Sequence, residues 1–260
     1  RTLDAHKPEK QEKIARETSL SVKAVAAPAG LVNVKKARVG LYRSWTANID
    51  EGWTRWILEN YGFAPVTLRN DGIQAGNLRE RFDAIILPDS SARSIRDGFG
   101  PGIVPGEYSG GLGAQGATAL REFVQAGGVL IAFNNASLYA IEDLGLPVKN
   151  ALAGLKPEEF YCSGSLLRVE IADESHSATW GLPREPVVMF ENGPALEAGD
   201  GFVGRVLASY PKNQSPLMSG YLLHGEKLQG KAAAVEVQLG RGRVYLLAFR
   251  PQWRGQSHGT

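Results

Sequence analysis

The sequence predicts an α/β fold built on a parallel sheet, and three observations carry this prediction. Short apolar runs alternate with helical segments through the first half of the chain, as in strand–helix–strand units. One of them, DAIILPDS (83–90), has a wholly apolar centre, which is typical of strands that helices cover on both faces. Beyond the segment SLYAIEDLGLP (137–147), strand-like runs follow one another with little helix, which predicts antiparallel additions in the C-terminal half.

The individual elements follow from apolar spacing and from turn residues. In the first half we expect strands at VGLY (39–42), APVTLRN (64–70), DAIILPDS and VLIAFNN (129–135), and helices at IDEGWTRWILENYG (49–62), NLRERF (77–82) and TALREFVQAGG (118–128). Residues 90–113 between them are predicted to form a long loop. In the second half we expect strands at SLLRVEIA (165–172), PVVMFENG (186–193), GRVLASYP (204–211), LMSGYLL (217–223), KAAAVEVQLG (231–240) and GRVYLLAF (242–249). The glycines of LGRGRV (239–244) predict a hairpin turn, after which the final strand returns to the main sheet.

The N-terminal segment differs in composition from the rest of the chain. Residues 1–38 hold nine basic and four acidic residues, whereas the remainder holds 20 basic and 23 acidic ones. Residues 1–36 are polar and basic, and their Ala/Pro-rich end is typical of a linker, so we expect a poorly ordered leader. The bases are spread out and no aromatic residue interleaves them, so we expect no nucleic-acid partner. No apolar run is long enough to span a bilayer.

Three other motifs contain residues of chemical interest. GLGAQG (111–116) has the letters of a dinucleotide-binding loop, but no strand precedes it, so we interpret it as a flexible cover over the sheet edge. His6 and Glu9 in HKPE have the spacing of two zinc ligands but stand in the polar leader without a third. We therefore expect no metal site and no cofactor in this segment. Cys162 precedes a strand, and packing is its favoured role over that of a nucleophile.

The junction GGVLIAFNNAS (127–137) is a strand running into a helix, where many α/β enzymes hold a nucleophile. Here Asn134 and Asn135 occupy the turn, and Ser137 follows too late for the elbow. We expect the stretch to cap the next helix, and the asparagine amides to bond the turn and the loop near residues 110–113. A base after the last strand would have to be His258, nine residues past Phe249, which is too distant.

Polar side chains follow the predicted parallel strands, at the edge where open α/β sheets bind ligands. They are Arg43, Ser44, Trp45, Asp89, Ser90, Asn134, Asn135 and Arg250. Two interpretations stay open for this strand-end set: a site for a small ligand, or helix capping and surface charge.

Several stretches in order resemble one known family. They are RVGLYRSWTANIDEGWTRWILENYGF (38–63), FDAIILPD (82–89), YSGGLGAQGATALREFVQAGGVLIAFNNAS (108–137), LGLPVKN (144–150), GSLLRVEI (164–171) and LGRGRVYLLAFRPQWRGQSHGT (239–260). Residues 37–260 resemble the C-terminal region of bacterial zinc carboxypeptidase-like proteins, a class I glutamine-amidotransferase-like domain of flavodoxin-like architecture. The resemblance implies that zinc belongs to an upstream metallopeptidase domain of the same chain, that the parent protein is extracytoplasmic, and that the domain is truncated at its C-terminal end.

The resemblance also frames the function. True amidotransferases carry an elbow Cys and a His-x-Glu pair, and neither is present here. We therefore expect a non-catalytic accessory domain that serves stability, substrate presentation or partner contact. The alternatives are a stand-alone amidase or esterase that uses Cys162 or Ser137, and a module that binds a small ligand or glycan.

Overall fold

The computed structural model describes residues 35–256, which from residue 37 onward belong to one compact unit. The expected leader therefore lies almost entirely outside the described residues, as do His6, Glu9 and His258. Six helices are described: α1 (Ile49–Asn60), α2 (Asn70–Gln74), α3 (Leu78–Arg81), α4 (Ala92–Arg96), α5 (Gly113–Gln125) and α6 (Ala136–Asp143). Short 3-10 turns lie at Gly106–Tyr108, Gly225–Leu228 and Trp253–Gly255.

The described strands form two sheets. They are β1 (Val39–Tyr42), β2 (Val66–Leu68), β3 (Ala84–Leu87), β4 (Val129–Phe133), β5 (Val148–Asn150), β6 (Ser165–Arg168), β7 (Glu170–Ile171), β8 (Val187–Phe190), β9 (Leu196–Ala198), β10 (Gly204–Ser209), β11 (Leu217–Ser219), β12 (Ala232–Leu239) and β13 (Gly242–Leu247). The main sheet has the order β2-β1-β3-β4-β13-β12-β10-β7, with β5 and β9 attached beside β12. Strands β2, β1, β3, β4 and β13 are parallel neighbours. The second sheet has the order β11-β6-β8.

The predicted fold class is confirmed: a parallel core is extended by antiparallel strands, and β13 returns to the main sheet beside β4. The LGRGRV hairpin forms between β12 and β13, and Gly240 supplies its positive φ of 61°. Two of the element predictions were wrong. The segment 90–113 contains α4, and SLLRVEIA divides at Val169 into β6 and β7, which join different sheets.

The main sheet is packed on both faces because its strands alternate their side chains. Ile85 and Leu130 face the core formed with α5 and α6, where Phe123 and Tyr139 are buried. On the opposite face Ile86 packs in a smaller cluster with Leu58 of α1. A further core lies between the second sheet and the C-terminal strands of the main sheet and includes Cys162 and Phe190. This layering places the carboxyl ends of β1, β3, β4 and β13 at one edge.

Candidate functional site

The turn after β4 has the geometry of a nucleophile elbow but holds an asparagine. Asn134 has a φ of 48°, in the left-handed region, and is fully buried. Asparagine tolerates this conformation better than most residues, which explains why it can occupy a turn of this kind. Its backbone N–H donates to Leu247 O at 2.7 Å, so the turn is fastened to β13.

The elbow side chain is enclosed. Asn134 Nδ2 donates to Glu191 O at 3.3 Å, whereas Oδ1 is buried with no hydrogen-bond partner. Gly193 packs directly against Oδ1, because a Cβ atom at Gly193 would overlap that oxygen. The elbow atom that would attack a substrate in a hydrolase is therefore an amide covered by a neighbouring loop.

The backbone donor beside the elbow is occupied as well. Asn135 N–H donates to Asp89 Oδ1 at 3.0 Å. In α/β hydrolases the N–H after the nucleophile binds the oxyanion that forms during acyl transfer. Here the carboxylate of Asp89 already fills that position, so a developing negative charge would meet a like charge.

Arg250 lies beside the elbow, immediately after β13 and Phe249, and faces three carboxylates. Arg250 Nε lies 2.8 Å from Asp89 Oδ2, and Nη1 lies 3.0 Å from Glu191 Oε2 and 3.5 Å from Asp50 Oδ2. Nε and Glu191 Oε2 lack hydrogen-bond geometry, so charge rather than directed bonding holds the guanidinium. We call Asp50, Asp89, Glu191, Arg250 and Gln252 the Arg250 cluster.

Within the Arg250 cluster, Asp50 is the most perturbed group. Burial raises its pKa to about 6, against the attraction of Arg250, while Asp89 and Glu191 add repulsion in the same direction as burial. Gln252 Nε2 donates to Asp50 Oδ1 at 2.9 Å, and Gln252 Oε1 is buried without a partner. The cluster thus joins positions separated by 202 residues.

The strand-end set divides into two groups. Asp89, Asn134, Asn135 and Arg250 meet in and beside the Arg250 cluster. Arg43, Ser44 and Trp45 instead gather around Arg69: Arg69 Nη1 donates to Arg43 O at 3.2 Å and to Ser44 O at 2.9 Å, and its Cζ lies 3.8 Å from the Trp45 ring centre. Ser90 is half-buried at the start of the segment that leads to α4.

Two expectations about the elbow were wrong. Neither Asn135 nor Ser137 caps α6: the Asn135 side chain makes no cap bond, and Ser137 Oγ donates to Ala132 O at 3.1 Å. The loop at 110–113 is bound by Asn70 and Gln74, which donate to Gly110 O and Gly111 O, and not by the elbow asparagines. Both side chains belong to α2, so the loop is fastened to that helix and not to the elbow.

The two alternative nucleophiles are buried. Ser137 is fully buried. The Cys162 side chain is buried in the core between the second sheet and the C-terminal strands of the main sheet. Burial raises the pKa of the Cys162 thiol, against smaller effects from bonds with Ser165 and Gly164. Cys162 and Asn135 do line an open cavity of about 330 Å³ beside the elbow. The described histidines, however, are engaged elsewhere: His176 with Glu236 and His224 with Glu226.

Among residues 35–256, no group of three or more His, Cys, Asp or Glu side chains is placed to hold a metal ion. Over the same range, no helix has both the length and the apolar content required to cross a bilayer.

Solved structures share this fold at low sequence identity. PurLQS from Thermotoga maritima matches with a TM-score of 0.55 and 17% identity over 84% of this chain and 89% of that one. A Thermoplasma acidophilum protein, described as part of a GMP synthase, matches with a TM-score of 0.50 and 10% identity, over 83% of this chain and 85% of that one. A cytoplasmic protein of Salmonella typhimurium LT2 matches with a TM-score of 0.51 and 13% identity, over 85% of this chain and 93% of that one. No protein-family model and no curated protein sequence matches the chain.

Proposed function

We propose that Arg250 and Gln252 take the place of the His-x-Glu pair of true amidotransferases in this domain, whose fold is class I glutamine-amidotransferase-like. The two residues come shortly after β13, are separated by one residue as in that pair, and both belong to the Arg250 cluster beside the elbow. On the sequence alone only His258 is considered for the base, and it is rejected as too distant, whereas the Arg-Pro-Gln segment lies directly after β13 and Phe249. With Asn134, three positions that would be catalytic hold residues of another kind.

We propose that this domain is non-catalytic. One observation supports the proposal most directly: the elbow position is a buried asparagine whose neighbouring N–H is bound by Asp89. An amide is not a nucleophile, and an arginine side chain does not lose its proton in proteins, so Arg250 cannot act as a general base. Ser137 and Cys162 are too enclosed to take over that role.

The accessory role extends this proposal to the longer protein. On the sequence resemblance of residues 37–260, we place the domain behind a zinc carboxypeptidase-like domain, outside the cytoplasm, where it serves stability, substrate presentation or partner contact. The complete reading frame tests the placement. A metallopeptidase domain upstream is expected, and a frame without one removes this part of the proposal while leaving the non-catalytic elbow untouched.

The non-catalytic elbow is tested with glutamine and with p-nitrophenyl acetate as substrates. We expect no ammonia or nitrophenol above the buffer rate from the wild type or from Asn134→Cys, since base and oxyanion donor are both missing. Wild-type turnover that disappears in Cys162→Ala or Ser137→Ala would instead establish the hydrolase. The assay on Asn134→Cys also separates two causes of inactivity, the missing nucleophile and the missing base and oxyanion donor. Activity gained by Asn134→Cys would show that Arg250 and Asp89 do not block the site.

A further inference from the structure

A cavity of about 430 Å³ lies on the face of the main sheet that α1 covers at β1 and β3. The cover ends at β4, and the next side chains on this face, Ile131, Leu247 and Tyr245, are half-buried and line the cavity. Its walls are mostly apolar and come from both sheets. The volume lies in the range of about 300–1,000 Å³ that small-molecule sites occupy.

A loop closes one side of this cavity. Ser177, Thr179 and Leu182 contribute to the lining, whereas Trp180 points outward with 78% of its surface exposed. The loop is fastened at its start, because His176 Nε2 lies 3.1 Å from Glu236 Oε2 on β12. The cavity is therefore bounded by a sheet on one side and by a tied loop on the other.

The charges beside the cavity compensate one another. Glu236 is buried and accepts a hydrogen bond of 2.6 Å from Tyr245 Oη, and Arg243 Nε lies 3.6 Å from its other oxygen. His176 Nδ1 accepts from Ala178 N–H at 3.2 Å, so the proton of a neutral His176 lies on Nε2 and points at Glu236. Every one of these groups is paired within the wall, and none is left to neutralise a charged ligand.

We propose that this cavity binds an uncharged, largely hydrophobic small molecule, such as an alkyl chain with a hydroxyl head group. Apolar walls favour an apolar occupant, because removing such surface from water contributes about 25 cal/mol per Å². The loop residue Ser177 is part of the lining and can supply a hydroxyl group to the ligand. The site is separate from the elbow and does not depend on whether the elbow is catalytic.

The experiment uses N-phenyl-1-naphthylamine, an uncharged probe that fluoresces in apolar surroundings, with the full 260-residue chain. We expect saturable binding of one probe per chain. Ala178→Phe, which adds a ring at the loop side of the cavity, should weaken binding at least tenfold. The matched control is Ala153→Phe at an exposed position outside the cavity, and it should bind as the wild type does.

Ligand charge is tested by displacement at pH 8. 1-Decanol should displace the probe at a concentration at least fivefold lower than decanoate, which has the same length but carries a charge. Ala234→Leu adds side-chain volume to the cavity from β12 and should also weaken probe binding. Circular dichroism verifies that this variant is folded.

Four results would overturn the proposal, of which the first three concern probe binding. These are non-saturable probe binding, equal effects of Ala178→Phe and Ala153→Phe, and preference for decanoate. A fourth is a dimer of the wild type in sedimentation that Ala178→Phe converts to monomer, since the cavity wall would then be a protein interface.

Discussion

Gly193 is in direct contact with the elbow residue, and this contact limits what the loop above Asn134 can accommodate. A Cβ atom at Gly193 would overlap Asn134 Oδ1 and lie 2.8 Å from Ala248 O. Because one of these neighbours is backbone next to β13, relief requires a shift of the loop. We expect Gly193→Ala to lower the free energy of unfolding by about 1–3 kcal/mol, measured by urea denaturation.

A second glycine provides the control for this measurement. Gly52 lies inside α1, is exposed, and a Cβ atom there meets nothing within 4 Å. Gly52→Ala should raise the free energy of unfolding by about 0.5–1 kcal/mol, because alanine is the better helix former. If both variants shift stability in the same direction, the close contact at Gly193 is not the cause.

Asp50 links stability to pH. Its pKa is about 6 in the folded protein, above the ordinary value of 3.8, so the folded state holds the proton more tightly than the unfolded state. The resulting stabilisation is present below about pH 4 and is lost as the pH rises to about 6, with a size on the order of 2 kcal/mol.

Asp50→Asn should therefore remove the decrease in unfolding free energy between pH 4 and pH 7 that the wild type shows. Urea denaturation at half-unit pH intervals measures it. Asp97→Asn, at an exposed position, should keep the wild-type slope. An unchanged slope in Asp50→Asn would mean that another group controls this pH window.

At the scale of elements, α4 is held by a two-pronged ion pair. Arg96 Nε and Nη2 donate to the two oxygens of Asp143 at 2.8 and 2.6 Å, which ties α4 to the end of α6. Lysine cannot make both bonds. Because the pair is partly exposed, Arg96→Lys should lower the free energy of unfolding by only about 0.5–1 kcal/mol. Hydrogen exchange should become faster at residues 92–112 first. Arg93→Lys, at a side chain that is 90% exposed, should leave exchange unchanged.

The same element shows why sequence patterns miss short helices. The runs of β1, β3 and β4 predict those strands because none of them contains a polar residue and polar residues follow each of them. The five residues of α4 bury Ile95 alone, which is too little periodicity to detect within a long polar stretch. SLLRVEIA has the alternation of one strand, and its division at Val169 follows from tertiary pairing with β8 on one side and β10 on the other.

At the scale of the whole molecule, the Arg250 cluster could be predicted only in part. Asp89, Asn134 and Arg250 follow strands, so the rule for parallel sheets brings them to one edge. Asp50 stands in the first turn of a helix and Glu191 in a loop after β8, and neither position is marked in the sequence. They reach Arg250 because α1 and the second sheet pack at that edge.

Metal removal tests the molecule as a whole. Since residues 35–256 hold no group of side chains placed to bind a metal ion, we expect incubation with EDTA to leave the melting temperature within about 1 °C of that of the untreated protein. The zinc complement is measured in parallel by elemental analysis. A chelator-sensitive melting temperature with stoichiometric zinc would contradict the prediction.

The position of β13 has a consequence for how the protein is made. This strand ends at Leu247, yet it lies between β4 and β12 in the middle of the main sheet. A ribosome releases the chain from the N-terminus, so β1 to β4 emerge long before the neighbour that covers the open edge of β4. Until then that edge exposes unpaired backbone groups, which makes the nascent chain prone to aggregation and a client for chaperones. A chain that stops before Gly242 would thus leave two half-sheets with no strand to join them.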